Sequence, residues 1–388
     1  MYVLTLKKGE EKRILAGHPW VYANEVQKIK GKDSQGSIAK VLANNGKFIG
    51  YGYINHLSKI IVRILTRDDA IIDRDFFYKR IYDSNKRRLE LGYSNNYRAV
   101  FGENDLLPGL IVDKYGDYLS VQFLSLGMDI RKDMIVDILK EVFSPKGIYE
   151  RSDVSVREKE GLQLIKGPLY GEFNPKVEII ENGIKLLVDL ENGQKTGYFL
   201  DQKENRANLK NYVKEKEVLD CFCNVGGFSL CASYYGAKKV TAIDISELAI
   251  SQVKEHVALN KLNNIETICD DVFEKLREYR HEKKKFDVII LDPPAFTKSK
   301  DTVKAGYLGY RDINILALKL LNKNGILITC SCSQHLTLNL FLDMIKESVA
   351  FSGVNAQLVE LRTQGKDHAS LIGSDEGLYL KLAVVRVL

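Results

Sequence analysis

LDCFCNVGGF, residues Leu219 to Phe228, joins a short apolar run to paired glycines and a second apolar run. This is the pattern of a buried strand turning into a helix beside a ligand, because glycine lets the backbone approach closely. Only Gly226 and Gly227 are present, so the dinucleotide pattern G-x-G-x-x-G is not met and a pyrophosphate is not what the loop suggests. Outward from this stretch, apolar β-branched runs recur at KEVLDCF (216–222), KVTAIDI (239–245), IETICDD (265–271), FDVIILD (286–292) and GILITCS (325–331). Helical stretches lie between them, with Leu248, Ile250, Val253 and Val257 expected on one face. Such alternation implies an α/β fold with a mostly parallel, doubly wound sheet and ligands at the strand C-terminal ends.

The acids at those ends are therefore the residues to read. Asp220 closes the first run. Asp244, eighteen positions after Gly226, closes the second, where a carboxylate can accept from both hydroxyls of a free ribose. Asp270 and Asp271 close the third, where an acid can accept from an adenine amine, and Asp292-Pro293-Pro294 follows the fourth. Any one of them reads equally as a helix cap. Four caps at four successive strand ends would be a coincidence.

The rest of the chain has a different texture. Residues 1 to about 70 alternate short apolar and aromatic runs with glycine and read as a small β-rich unit, whose Trp20, Tyr22, Tyr51 and Tyr53 either fill its core or stack on bases. From 71 to 186 a helix (Asp73 to Leu91, with Phe77, Ile81 and Leu89 inward), a hairpin (LLPGLIVDKYGDYLSVQF) and a second helix (MDIRKDMIVDILKEVF) suggest a central α/β domain. The basic residues at 86 to 88 could meet phosphate, though a charged helical face is more often simply solvated. With 388 residues, 45% apolar and 28% charged, the chain is long enough for two or three cores. No apolar run is long enough for a membrane span and the N-terminus lacks a signal-peptide core, which favours a cytoplasmic protein. The six cysteines form no paired CxxC zinc pattern, so neither a disulfide framework nor a metal is expected. A formal charge of +6 permits phosphate contacts without requiring them.

LDCFCNVGGF, TAIDIS (241–246), CDDVF (269–273) and LDPPAF (291–296) together resemble the successive motifs of class I S-adenosylmethionine methyltransferases. TGYFLDQKENR (196–206), SCS (331–333) and EGLYLK (376–381) narrow the resemblance, nearly end to end, to the large-subunit ribosomal RNA 5-methylcytosine methyltransferase family. The resemblance implies a PUA-like RNA-binding domain over 1–70, a central α/β domain over 71–186 and a Rossmann-like methyltransferase domain over 187–388. It implies S-adenosylmethionine as cofactor, held by Tyr198, Gln202, Asp220, Asp244, Asp271 and Asp292 over a floor of Phe222, Gly226 and Gly227. Large-subunit ribosomal RNA is the implied partner, and a homodimer is compatible with the family.

Methyl transfer to carbon 5 of a pyrimidine needs covalent help, because that carbon is a poor nucleophile until a thiolate has added to carbon 6. ILITCSCSQHL places Cys330 and Cys332 two apart, on one side of the chain if both are extended. A cysteine in a strand is usually only a small apolar residue, but the resemblance places the nucleophile in SCS, which is Cys332. Asp292 would then bond the cytosine edge and help to protonate ring nitrogen 3, with Pro293, Pro294 and Phe296 walling the target base. Ala295 stands where another family of such enzymes carries a second thiol. The stretch 298–318, with its lysines, Tyr307, Tyr310 and Arg311, reads either as a lid or as a solvated loop, and His335 either lowers a thiolate pKa or, as is commoner for a lone histidine beyond a strand, is a surface or capping residue. Two other readings stand beside this one. DPPAF could serve an amino-group methyltransferase that needs no cysteine, or the chain could be a non-enzymatic RNA-binding assembly factor.

Overall fold

The computed structural model describes residues 1–297 and 299–388, with side chains for all of these except Lys300 and Asp375. Lys298, first residue of the candidate lid, lies outside the described residues. The protein is α/β and divides into two compact units. The first comprises Met1–Ile179, Leu187–Asp201 and Lys366–Gly377, and the second Ile180–Leu186, Gln202–Gly365 and Leu378–Leu388.

Within the first unit, β1 (Tyr2–Leu6), β2 (Trp20–Tyr22), β3 (Val26–Lys30), β4 (Ile38–Leu42), β5 (Phe48–Ile54) and β6 (Ile60–Thr66) form one sheet in the order β2-β6-β5-β4-β1-β3. Alternation drives it: the inward residues Leu4, Leu6, Val41 and Ile64 are sealed together. Gly52 is required here, since a Cβ on it would lie 2.2 Å from the Arg63 carbonyl oxygen. The four aromatics divide. Tyr53 is buried, with its hydroxyl 2.7 Å from Ser125 Oγ, whereas Trp20, Tyr22 and Tyr51 stay half-exposed.

A second sheet follows, β7 (Asn96–Phe101), β8 (Leu110–Tyr115), β9 (Tyr118–Phe123), β10 (Gly147–Ser152) and β11 (Ile165–Tyr170), in the order β11-β10-β9-β8-β7. The helices α1 (Arg74–Glu90) and α2 (Lys132–Phe143) belong to the same unit. Asp73 caps α1 by accepting from Phe76 N at 3.0 Å, so the predicted start holds. Phe77 and Ile81 are buried as expected, but Leu89 is 49% exposed and Arg88 points inward instead. The reason is Asp105, whose carboxylate takes both guanidinium nitrogens of Arg88 at 2.6 and 2.7 Å. After the hairpin of β12 (Lys176–Glu181) and β13 (Ile184–Asp189) comes the sheet that matters most for function.

That sheet contains β14 (Glu217–Cys221), β15 (Lys239–Asp244), β16 (Ile265–Cys269), β17 (Phe286–Leu291), β18 (Leu321–Ser331), β19 (Ala356–Arg362) and β20 (Lys381–Val387), in the order β16-β15-β14-β17-β18-β20-β19. Strands β14 to β18 pair in parallel, and β20 inserts antiparallel beside β18. All five sequence-predicted strands are present. The order reverses from β14 outward, so β14 and β17 flank the switch point where an open sheet leaves a crevice. Helices α3 (Gly227–Tyr234), α4 (Glu247–Leu259), α5 (Val272–His281), α6 (Val303–Leu320) and α7 (Leu338–Ser352) belong to the same unit. On α4, Ser246 caps the first turn by accepting from Ala249 N, and Ala249, Ile250, Val253 and His256 turn inward. Leu248, expected on that face, is 66% exposed. Among the described residues no helix is long and apolar enough to cross a membrane.

Candidate active site

The loop from β14 to α3 departs from ordinary backbone at three positions: Phe222 (φ 62°), Asn224 (φ 51°) and Gly226 (φ 87°) are left-handed. A side chain in that region costs about 1 kcal/mol or more, a strain that functional loops tend to carry. A Cβ on Gly226 would in addition press on both Val253 methyls at 3.1 Å. Gly227 opens α3, and the Phe222 ring meets Phe273 and Phe296 edge-on at 6.5 and 6.4 Å.

Around this loop stand the acids. Asp220 is fully buried; Ser229 Oγ donates to one carboxylate oxygen at 2.6 Å, and the other has no partner. Burial raises its pKa to about 7, with the charges of Asp292 and Asp244 pushing the same way. Asp244, half-buried, accepts from Asn224 N at 2.9 Å and Ser246 N at 3.0 Å, so it also shapes the loop. Asp271 is the N-cap of α5, accepting from Glu274 N at 3.1 Å, and thus fulfils the cap reading. Asp292 follows β17 and accepts from Gln202 Nε2 at 3.1 Å, while Gln202 Oε1 accepts from Asn205 at 2.7 Å. Asp220, Asp244 and Asp271 form no ion pair among the described residues.

The cysteine pair separates. Cys330, in β18 opposite Leu382, is fully enclosed; burial pushes its thiol well up, the Asp292 charge adds to this, and a hydrogen bond with Gln202 opposes it. Cys332 lies just past the end of β18 and is half-exposed. Pro293 is buried, Pro294 exposed, and Phe296 half-buried with its ring 4.6 Å from Tyr310 and 6.0 Å from Phe273. Tyr310 is a core residue, with its hydroxyl 2.8 Å from Ser333 Oγ, and so belongs to no lid. Tyr307 is half-buried on α6, where Arg311 pairs with Glu347 at 3.5 Å.

The second unit therefore gathers Gln202, Asp220, Phe222, Gly226, Gly227, Asp244, Asp271, Asp292, Phe296 and Cys332. Tyr198 is grouped with the first unit, buried, with the Tyr115 hydroxyl 3.2 Å from its N and 3.1 Å from its O. Two residues escaped the sequence reading. Asn205 orients Gln202, and Lys381, 4% exposed, donates to the Ser333 carbonyl oxygen at 2.7 Å. A lone lysine at the head of the apolar run LAVV was the available signal. Among the described residues no cluster of His, Cys, Asp or Glu could hold a metal ion.

A family model described as S-adenosylmethionine-dependent methyltransferase matches residues 166–361, and a PUA-like domain model matches residues 4–67. Proteins named ribosomal RNA large subunit methyltransferase I, from Escherichia coli and Klebsiella pneumoniae, are each 40% identical over 392 residues. The alignments cover 99% of this chain and 99% and 98% of those proteins. The chain belongs to the S-adenosylmethionine-dependent methyltransferases. A Streptococcus mutans protein titled as such a methyltransferase shares the fold of this one at TM-score 0.85 and 24% identity, over 100% of both chains. A methyltransferase solved in complex with SAH does so at TM-score 0.86.

The residues of this methyltransferase fit S-adenosylmethionine. A cationic sulfonium and ammonium suit Asp220, Asp244 and Asp271, which form no ion pair among the described residues, and ribose hydroxyls and an adenine amine are donors for acceptors. The unpartnered Asp220 oxygen and the strained glycine loop supply an unsatisfied acceptor and a close backbone approach.

Proposed function

We propose that this methyltransferase methylates carbon 5 of a cytosine in large-subunit ribosomal RNA, with Cys332 as nucleophile. Cys332 carries the reading. Of the six cysteines, Cys221, Cys223, Cys231 and Cys330 are sealed and Cys269 lies exposed at the end of β16, on the far edge of the sheet order. Cys332 alone is half-exposed beside the strand end that neighbours Asp292. The names of the relatives and the PUA-like match over 4–67 support an RNA substrate.

In this reading the Cys332 thiolate adds to carbon 6, forming the S–C6 bond and moving electron density to carbon 5. Asp292 bonds the base edge and helps a proton from solvent to reach ring nitrogen 3 as that charge develops. When bound, the cofactor supplies the methyl group as an electrophile. A water then takes the carbon-5 proton, the S–C6 bond breaks with its electron pair left on sulfur, and the proton on ring nitrogen 3 returns to solvent, restoring the thiolate. Phe296, with Pro293 and Pro294, walls a base that has left its stack. Gln202, Asp220, Asp244, Asp271 and Asp292 hold the cofactor over Phe222, Gly226 and Gly227. The 1–70 part serves RNA binding, 71–186 is a central α/β domain, 187–388 is the catalytic domain, and the setting is the cytoplasm.

RNA carrying 5-fluorocytosine tests this, because fluorine at carbon 5 cannot leave as the proton does. With S-adenosylmethionine present, a protein–RNA adduct should accumulate with its crosslink on Cys332 and be absent from Cys332→Ala. Methylation of other RNA without any trapped adduct would reject the covalent route.

A further inference from the structure

Lys381 is a buried cation without a carboxylate. It opens β20, where the register sets it opposite Ser331, next to the candidate nucleophile. Its side chain is 4% exposed, its Nζ donates to the Ser333 carbonyl oxygen at 2.7 Å, and no Asp or Glu among the described residues pairs with it. Buried lysines almost always have an acid partner, since desolvating an ammonium costs several kcal/mol. A carbonyl dipole is a poor substitute for one. Burial lowers the Lys381 pKa to about 8, and the one charge that opposes this is the Cys332 thiolate. Interaction between two titrating groups is reciprocal: the anion that keeps Lys381 protonated is itself favoured by the protonated Lys381, to the same extent.

Three other described groups of this region do not offer this help. Tyr310 on α6 is neutral at ordinary pH and has its pKa raised by burial, and Cys330 on β18 is sealed and pushed well up. Asp292, beyond β17, is an acid that acts on the neighbouring Cys330 by favouring the neutral thiol.

We propose that Lys381 is the positioning residue of Cys332, its ammonium holding the Cys332 sulfur as a thiolate ready to add to carbon 6 while its bond to the Ser333 carbonyl fixes the SCS turn. This rests on Cys332 being the nucleophile. The proton that leaves the thiol goes to solvent, and Lys381 stays an ammonium.

The test reads the sulfur directly and needs no RNA. The rate of iodoacetamide alkylation at Cys332 is followed by peptide mass spectrometry across pH, in wild type, Lys381→Arg and Lys381→Gln. Arginine keeps the charge, whereas glutamine keeps a donor for the Ser333 carbonyl and loses the charge. The alkylation midpoint should move up by about one pH unit or more in Lys381→Gln, a roughly tenfold slower reaction at neutral pH, and stay near wild type in Lys381→Arg. Cofactor affinity, measured alongside, should be retained by both. A wild-type profile in Lys381→Gln would overturn the proposal and leave Lys381 as a cap for a carbonyl. Because alkylation is scored apart from methyl transfer, a shifted profile in an enzyme that methylates without Cys332 would reject the covalent reading alone.

Discussion

Asp220 sits where burial and the charges of Asp292 and Asp244 all favour its protonated form. Its folded pKa, about 7, lies above that of an unfolded aspartate, so its contribution to stability is present at low pH and is lost as pH rises through about 7. Cofactor binding works the other way. A cationic ligand favours the carboxylate and expels the proton, so affinity for S-adenosylmethionine should fall as pH drops below about 7, by up to about tenfold per unit. Titration calorimetry on wild type and Asp220→Asn across this range should show a slope in the first that is flattened in the second. Equal slopes would place the proton elsewhere. At this scale the sequence revealed the positions of the acids, because each closes a β-branched run. It could not reveal their division of labour: that Asp244 also holds Asn224 N, or that Lys381 is buried, depends on neighbours distant in the chain.

Among the elements, the five parallel strands were legible because a strand covered on both faces must be apolar throughout. Helix faces were harder. Leu248 and Leu89 fit the apolar spacing yet face outward, while His256, which donates from Nδ1 to the Val225 carbonyl at 2.9 Å, and Arg88 with its Asp105 turn inward. The TGYFLDQKENR segment shows the same blind spot. Its Arg206, 2% exposed, grips Glu181 of β12 through two bonds of 2.7 and 3.0 Å, with Glu181 1% exposed. Removing one partner of such a pair leaves a buried charge uncompensated, at a cost of about 3–5 kcal/mol. Arg206→Ala should therefore lower the urea midpoint of the protein substantially, whereas Arg206→Met with Glu181→Leu should recover much of the loss. A change under about 1 kcal/mol in Arg206→Ala would show the pair to be ornamental.

Across the whole molecule, chain order and compact units part company. Lys366–Gly377 joins the first unit, where Asp367 accepts from Arg98 N at 2.9 Å and takes the Tyr93 hydroxyl at its own N at 3.2 Å. No local pattern announces a return of that length, because its partners are side chains and strand edges almost three hundred positions earlier. The methyltransferase fold, by contrast, was visible from four strand ends, and the family match agrees with it. What the account adds is a chemistry for that fold, centred on a half-exposed sulfur. The most direct test is to incubate wild type and Cys332→Ala with labelled S-adenosylmethionine and ribosomal RNA lacking its own modification, and to identify the labelled nucleoside by mass spectrometry. The account predicts label in 5-methylcytosine with wild type and none with Cys332→Ala. Label in a methylated amino group, surviving the substitution, would contradict it.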